Sequence, residues 1–267
     1  CQKLHNRQIS CFVLYSKRMA IMVMKGSSVM EHQDHKFDCM ICGSPLVYTA
    51  ASEKKKCAIC GNVYETNCTC EQGHYICDKC HSKPGLVVIT AEALRTESTN
   101  PIEIAMKMMD DEHIHMHGPE HHYLVPAALL AAYYNAGGTI GNWSLADSLG
   151  TAQLRASQVP GGVCGSWGCC GAAVGAGIFA SIIASATSMS DEAWGLCNRI
   201  TAKCLDIIGK NGGPRCCKRD SFLAIGVMVN YVAEHFGITM GKPSKIVCHY
   251  HQYNRACRQE KCPFFPR

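Results

Sequence analysis

Between Cys39 and Cys80 the chain carries three C-x-x-C pairs: Cys39/Cys42, Cys57/Cys60 and Cys77/Cys80. Cys70 and His74 stand ahead of the last pair. Gly43 and Gly61 follow the first two pairs, and a glycine there lets the turn aim backbone N–H groups at sulfur. Thiolate sulfur and imidazole nitrogen in sets of four are what a tetrahedral zinc ion takes. Cys39, Cys42, Cys57, Cys60, Cys70, His74, Cys77 and Cys80 are enough for two such ions. Two arrangements fit. In a cross-brace, pairs 39/42 and 70/74 share one metal and pairs 57/60 and 77/80 the other. In a simpler ribbon only Cys39, Cys42, Cys57 and Cys60 are used. Cys68 is spare in both. Such sites usually hold a small fold together rather than do chemistry.

Further chemistry-bearing residues lie in four distant stretches. Gln158–Thr187 has no charged residue and sets Cys164, Cys169 and Cys170 among glycines ahead of a small-residue apolar run from Ala172 to Ala186. A thiol at a helix start is expected to ionise easily, which makes Cys164 a candidate nucleophile or ligand. A second Gly/Cys turn, Gly212 to Asp220, holds Cys216 and Cys217 beside Arg215, Lys218 and Arg219. Those cations are expected to depress a thiol pKa, and Arg215 to hold an anion. Five histidines fall between His113 and His122. If the chain already turns helically at residue 117, His117 and His121 share a face, with Glu120 as ligand or base. The tail sets Cys248, Cys257 and Cys262 at spacings of eight and four residues and ends them in Cys262-Pro263, and a terminal Cys-Pro occurs in iron–sulfur ligand runs. Together with one of Cys164, Cys169, Cys170 or Cys216, these three would complete a four-cysteine site. A further zinc knuckle or a loop staple is the plainer alternative.

The elements that must position these groups are mostly helical. Pro45 to Ala50 suggests a short hairpin between the first two knuckles, and Gly85–Thr90 a short strand or a helix start. Asn100-Pro101 starts a helix over IEIAMKMM. Pro119 starts another through Ala136, kinked at Pro126 and capped by Gly137-Gly138. Ser144 caps a third, with Leu145, Leu149 and Leu154 on its buried side. Asp191–Lys210 and Ser221–Phe236 follow. Cys197 and Cys204 lie on the apolar stripe of the first of these and read as core thiols. The expected architecture is mostly α: a basic leader (1–36), a two-zinc module (37–83), a linker with a short helix (84–118) and an all-α domain (119–267).

Composition narrows the class. The chain has 267 residues, 20 cysteines, 13 histidines and 47% hydrophobic residues, enough for a sizeable core. Closely spaced cysteines near histidines fit metal sites in a reducing compartment better than a disulfide framework, so a cytoplasmic protein is expected. The net charge is +5, but residues 1–36 hold six Lys/Arg and two Asp/Glu. The body is therefore nearly neutral, and a nucleic-acid face is not indicated. The apolar run from Ala172 is short of the ~20 residues of a membrane span.

The order of ligand pairs resembles RING and related two-zinc domains. HMHGPEHH (115–122), VPGGVCGSWGCCGAA (159–173), GGPRCCKR (212–219), GHYICDKCH (73–81) and the Cys257/Cys262-Pro pattern resemble an uncharacterised cysteine-rich domain family of anaerobic bacteria and methanogenic archaea. In some members the domain sits beside radical-SAM or SAM-dependent methyltransferase domains. The resemblance covers 37–264. It implies a cytosolic anaerobe protein with zinc and iron–sulfur chemistry, and a radical-SAM or methyltransferase component as protein partner. It supplies no reaction, and the chain has neither the CxxxCxxC cluster motif nor the glycine-rich SAM motif of those enzymes. Two functions are therefore expected to compete. One is a metal-dependent redox, sulfur or methyl-transfer component using Cys164, Cys216, His117, Glu120, His121 and Arg215, with Cys169, Cys170, Cys217, Cys248, Cys257 and Cys262 at a cofactor. The other is a non-enzymatic adaptor built on the zinc module.

Overall fold

The computed structural model of the chain describes residues 39–267; the basic leader expected at 1–36 lies outside the described residues. A two-stranded antiparallel hairpin comes first, β1 (Leu46–Lys56) on β2 (Val63–Cys70), with a bulge between Tyr48 and Glu53. It is longer than Pro45–Ala50 suggests, because the Cys57–Cys60 knuckle itself makes the connecting turn. Eight α-helices follow among the described residues: α1 (Asp78–Arg95), α2 (Pro101–Met109), α3 (Glu120–Asn135), α4 (Leu145–Ala156), the one-turn α5 (Val163–Ser166), α6 (Gly171–Ile183), α7 (Glu192–Asn211) and α8 (Cys217–Phe236). The fold is thus mostly α. Gly85–Thr90 belongs to α1, which carries Pro84 in its first turns, so most of residues 84–118 is helical.

Local signals set the helix ends. The Asn100 side chain accepts from the N–H groups of Ile102 and Glu103 ahead of Pro101, which satisfies donors that a helix start leaves unpaired. Ser144 and Asp147 form a reciprocal capping box at α4. Gly237 closes α8 in the left-handed conformation, φ 67°, where a Cβ would be strained.

The core is built around α3. Its residues from Glu120 to Tyr133 are all buried, and it packs against α1, α2, α4, α6 and α8. A helix apolar on every side is one enclosed by neighbours rather than laid on a surface. The small-residue run on α6 makes the closest of these approaches possible. A Cβ on Gly171 would lie 2.1 Å from the His122 ring, and one on Gly175 would lie 2.7 Å from the His122 carbonyl oxygen. Phe179, fully buried, fills the space beyond, edge-on to Tyr133 with ring centroids 6.0 Å apart. Cys197 and Cys204 are buried in this core as expected from their stripe. Leu154 is not: it is 65% exposed, and α4 buries Leu149, Ala152 and Ala156 instead. Among the described residues no helix is long and apolar enough to cross a membrane.

Phe179→Ala removes a fully buried aromatic side chain from a core that cannot close over the gap. It is expected to cost about 3–5 kcal/mol, measured as a lowered denaturation midpoint under anaerobic conditions, whereas Leu154→Ala on the exposed face should change it by less than ~0.5 kcal/mol.

Candidate metal centres

The hairpin brings the knuckle ligands into two tetrads. Cys39, Cys42, Cys70 and His74 form one, and Cys57, Cys60, Cys77 and Cys80 the other. The pairing is the interleaved one, pair one with pair three and pair two with pair four. The reason is the register: Leu46 lies opposite Cys70, so the first knuckle meets the end of β2, while the turn carries the second knuckle to the start of α1. Within the tetrads, Cys42 and Cys70 sulfurs are 3.8 Å apart and Cys60 and Cys77 sulfurs 3.9 Å. A small ion with ~2.3 Å bonds at tetrahedral angles separates its sulfurs by about 3.8 Å. His74 Nδ1 lies 3.3 Å from Cys42 Sγ and 3.6 Å from Cys70 Sγ. Both tetrads could hold metal ions.

Backbone N–H groups point at three of the tetrad sulfurs. Ile41 N–H points at Cys39 Sγ (3.4 Å), His74 N–H at Cys70 Sγ (3.2 Å) and Cys77 N–H at Cys57 Sγ (3.4 Å). Gly43 and Gly61 take φ of 71° and 74°, which closes each knuckle and aims those groups. The Ser44 hydroxyl and N–H bring the Cys42 thiol down to about 6. Burial pushes the Cys57 thiol up, but N–H groups of Cys60, Cys77 and Ile59 outweigh it and leave it at about 6. Cys68 belongs to neither tetrad.

The C-terminal cysteines converge on a cavity. Cys216, at the start of α8, lines it together with Cys248, Cys257 and Cys262 from the tail. Met116, Phe222, Phe264 and Phe265 supply apolar wall, and Arg219 and Arg258 supply cations. Asn254 Nδ2 lies 3.6 Å from Cys216 Sγ, and Gln259 N–H donates to Cys257 Sγ at 3.3 Å. These sulfurs stand wider apart than the tetrads, with no three within the 4.8 Å that each tetrad spans. Cys164, Cys169 and Cys170 do not line the cavity.

The vicinal pair is divided. Cys216 faces the cavity, whereas Cys217 turns into the protein beside Gly118 and Glu120. The expected depression of their pKa does not occur. Burial pushes both thiols up, and it also raises the Cys170 thiol to about 12, with the Asp220 carboxylate adding to the effect. Nor do the cations stand ready for an anion. Arg215 donates to the Tyr48 hydroxyl at 2.6 Å and lies over its ring. Arg219 pairs with Asp220 at 2.8 Å, and Lys218, fully buried, donates to the Ile114 carbonyl at 3.3 Å.

The histidine run is bent rather than helical at residue 117. The helix starts at Glu120, and His121 Nδ1 lies 3.1 Å from the Gly118 carbonyl oxygen, so His117 and His121 do not share a helix face. Burial lowers His117 to about 4 and His121 to about 3. His121 Nδ1 lies 3.6 Å from Glu120 Oε1, as the sequence pairs them, and two further imidazoles, His81 and His115, group with the carboxylate. Neither stands out in the sequence as a partner of Glu120. The available signal was that His81 directly follows Cys80, so the knuckle that fixes Cys80 also fixes His81.

The chain matches the family of unknown function DUF5714 over residues 89–265, and belongs to that family. The match takes in the histidine run, both Gly/Cys turns and the tail cysteines; the two tetrads and His81 precede it. No curated protein and no solved structure matches the chain.

Metal analysis of the purified chain checks the tetrad assignment. Cys70→Ala is expected to lose one ion per chain, and Cys68→Ala, two residues away, to lose none. An ion lost with Cys68 would remove Cys70 from the ligand set.

Proposed function

We propose that this protein is a cytoplasmic metalloprotein with zinc in its two tetrads and an iron–sulfur cluster on Cys216, Cys248, Cys257 and Cys262, acting in the redox, sulfur or methyl-transfer chemistry of an anaerobe. Redox work is the form best supported. One observation carries the reading: residues from two distant turns of the chain bring four cysteines to one apolar-walled cavity with sulfurs too far apart for a single ion. That is the donor set of a multi-iron cluster, which spreads its thiolates over several metals. N–H groups directed at Cys257 and Cys216 and the Arg258 cation on the wall would offset the negative charge of thiolates and cluster, two of the factors by which a protein tunes such a centre. When bound, the cluster supplies one-electron transfer; the chain supplies its ligands, its charge balance and its shelter from water.

The tetrads support a structural role. Sulfur donors at tetrahedral spacing and no open position are what closed zinc sites have. Their module also leaves Ile41, Val47, Ile59 and Val63 exposed, between 42% and 61%, a set that suits docking of a protein partner such as a methyltransferase or radical-SAM component.

Anaerobic purification tests the cluster. About four iron and four sulfide per chain, with broad absorption near ~400 nm, are expected. Cys216→Ser and Cys262→Ser should lose both while keeping the zinc. Full zinc with neither iron nor sulfide would refute it.

A further inference from the structure

We propose a further metal site, distinct from the tetrads and the cysteine cavity, at His81, His115 and Glu120. It would hold one divalent first-row transition ion on two imidazoles and a carboxylate, with coordination positions left for water or an oxygen-donor substrate.

The distances point to a shared ion rather than to hydrogen bonds. His81 Nδ1 is 3.7 Å from Glu120 Oε2, and His115 Nδ1 is 3.5 Å from Glu120 Oε1. Hydrogen bonds between such groups run at ~2.7–3.2 Å, so both contacts are too long. Ligands about 2.1 Å from a tetrahedral ion lie about 3.4 Å from one another, close to what is seen. All three ligand atoms fall within 4.8 Å of each other.

The same atoms lack partners. His81 Nδ1, His115 Nδ1 and Glu120 Oε2 are buried and make no hydrogen bond, although Glu120 is fully buried. A buried carboxylate beside two buried ring nitrogens, with no hydrogen bond between them, is rare in a folded protein, and three such groups within 4.8 Å of one another call for something between them. Glu120 Oε1 is satisfied separately, by the His115 N–H at 3.1 Å, which orients the carboxylate as supporting hydrogen bonds orient metal ligands. Gly118 makes room: a Cβ there would sit 2.1 Å from Glu120 Oε2.

The donor set indicates the class of ion and the open position. Nitrogen and oxygen donors without thiolate suit iron, manganese or zinc in the divalent state. Sites with three protein ligands are those that keep a place for water or substrate, whereas closed structural sites use four. The His81 side chain is 24% exposed while Glu120 is fully buried, so the site lies nearest the surface on the His81 side.

Manganese separates this site from the others, because Mn2+ prefers carboxylate and imidazole and competes poorly for thiolate sites. The full chain, loaded with Mn2+ and desalted, should carry one divalent ion per chain more than His115→Ala or Glu120→Gln treated alike, with zinc and the ~400 nm absorption unchanged in both variants. His81→Asn, altering the partly exposed ligand, gives the same readout should either of those variants lose its zinc. Mn2+ held by the wild type should show nitrogen couplings from imidazole in its pulsed electron paramagnetic resonance spectrum. Equal metal totals in the wild type and all zinc-retaining variants would overturn the proposal. A missing cluster would leave it standing, since none of these ligands lines the cysteine cavity.

Discussion

A carboxylate removed from water sets the terms for the fold. Glu120 is fully buried at the start of α3, and a charge so placed costs several kcal/mol unless nearby groups offset it. The offsets come from separate parts of the chain: His81 from α1, His115 and its N–H from the 110–119 loop, and the fully buried Lys218 from α8. Burial alone would raise the Glu120 pKa, but His115 and His81 beside it hold it well below the usual carboxylate range. Its place in the first turn of α3 adds the favourable end of the helix dipole. Each supplier is fixed elsewhere. The Cys80 knuckle sets His81, and Tyr250, whose hydroxyl donates to the Met106 carbonyl and to Asp110, anchors the end of α2 ahead of the loop. The knuckles and the helical body therefore meet at this carboxylate, as they do where Arg215 reaches Tyr48, and are not independent.

The start of α8 is the second junction, and there burial overrides the electrostatics that a linear sequence suggests. Three cations within five residues look like a surface made for anions or thiolates. Lys218 and Arg219 instead point inward, and Arg215 reaches back to Tyr48 on the hairpin. An arginine over a tyrosine ring and bonded to a tyrosine hydroxyl has used its planar donors. The thiols beside them are pushed up by desolvation more than the cations pull them down. Burial raises the pKa of Lys218's neighbours and lowers its own, to about 8, both by disfavouring the charged form.

What could be read from the sequence was what depends on short range. Ligand spacing named both tetrads, because a metal demands four donors and C-x-x-C supplies two of them on one turn. Caps named two of the helix starts, since Asn100 and Ser144 act on N–H groups two or three residues away. Convergence over distance was only partly legible. The tail cysteines announced a missing fourth ligand, but nothing local chose Cys216 over Cys164, Cys169 or Cys170; that choice belongs to the packing of α8 against the tail. The periodicity that put Leu154 on a buried face gave the stripe but not how far its neighbours would cover it. The helical register that paired His117 with His121 begins only at Glu120; His121 does reach the carboxylate, at 3.6 Å, while His81 and His115 came from outside the expected set.

The 115–120 segment explains why these features sit together. Met116 lines the cysteine cavity, while His115 and Glu120, on either side of it in the chain, face the other way. Asn254 lines the same cavity, with Nδ2 3.6 Å from Cys216 Sγ. Gly118 allows the chain to turn tightly between Met116 and Glu120, since any side chain there would collide with the Glu120 carboxylate two residues on. Side chains that alternate across so short a loop cannot move separately, so a shift that opens one centre must displace a wall of the other. Ions that bind only the folded chain add their binding free energy to its stability. One loop lines both places, so the fold around Glu120 is tied to the cysteine cavity through covalent geometry.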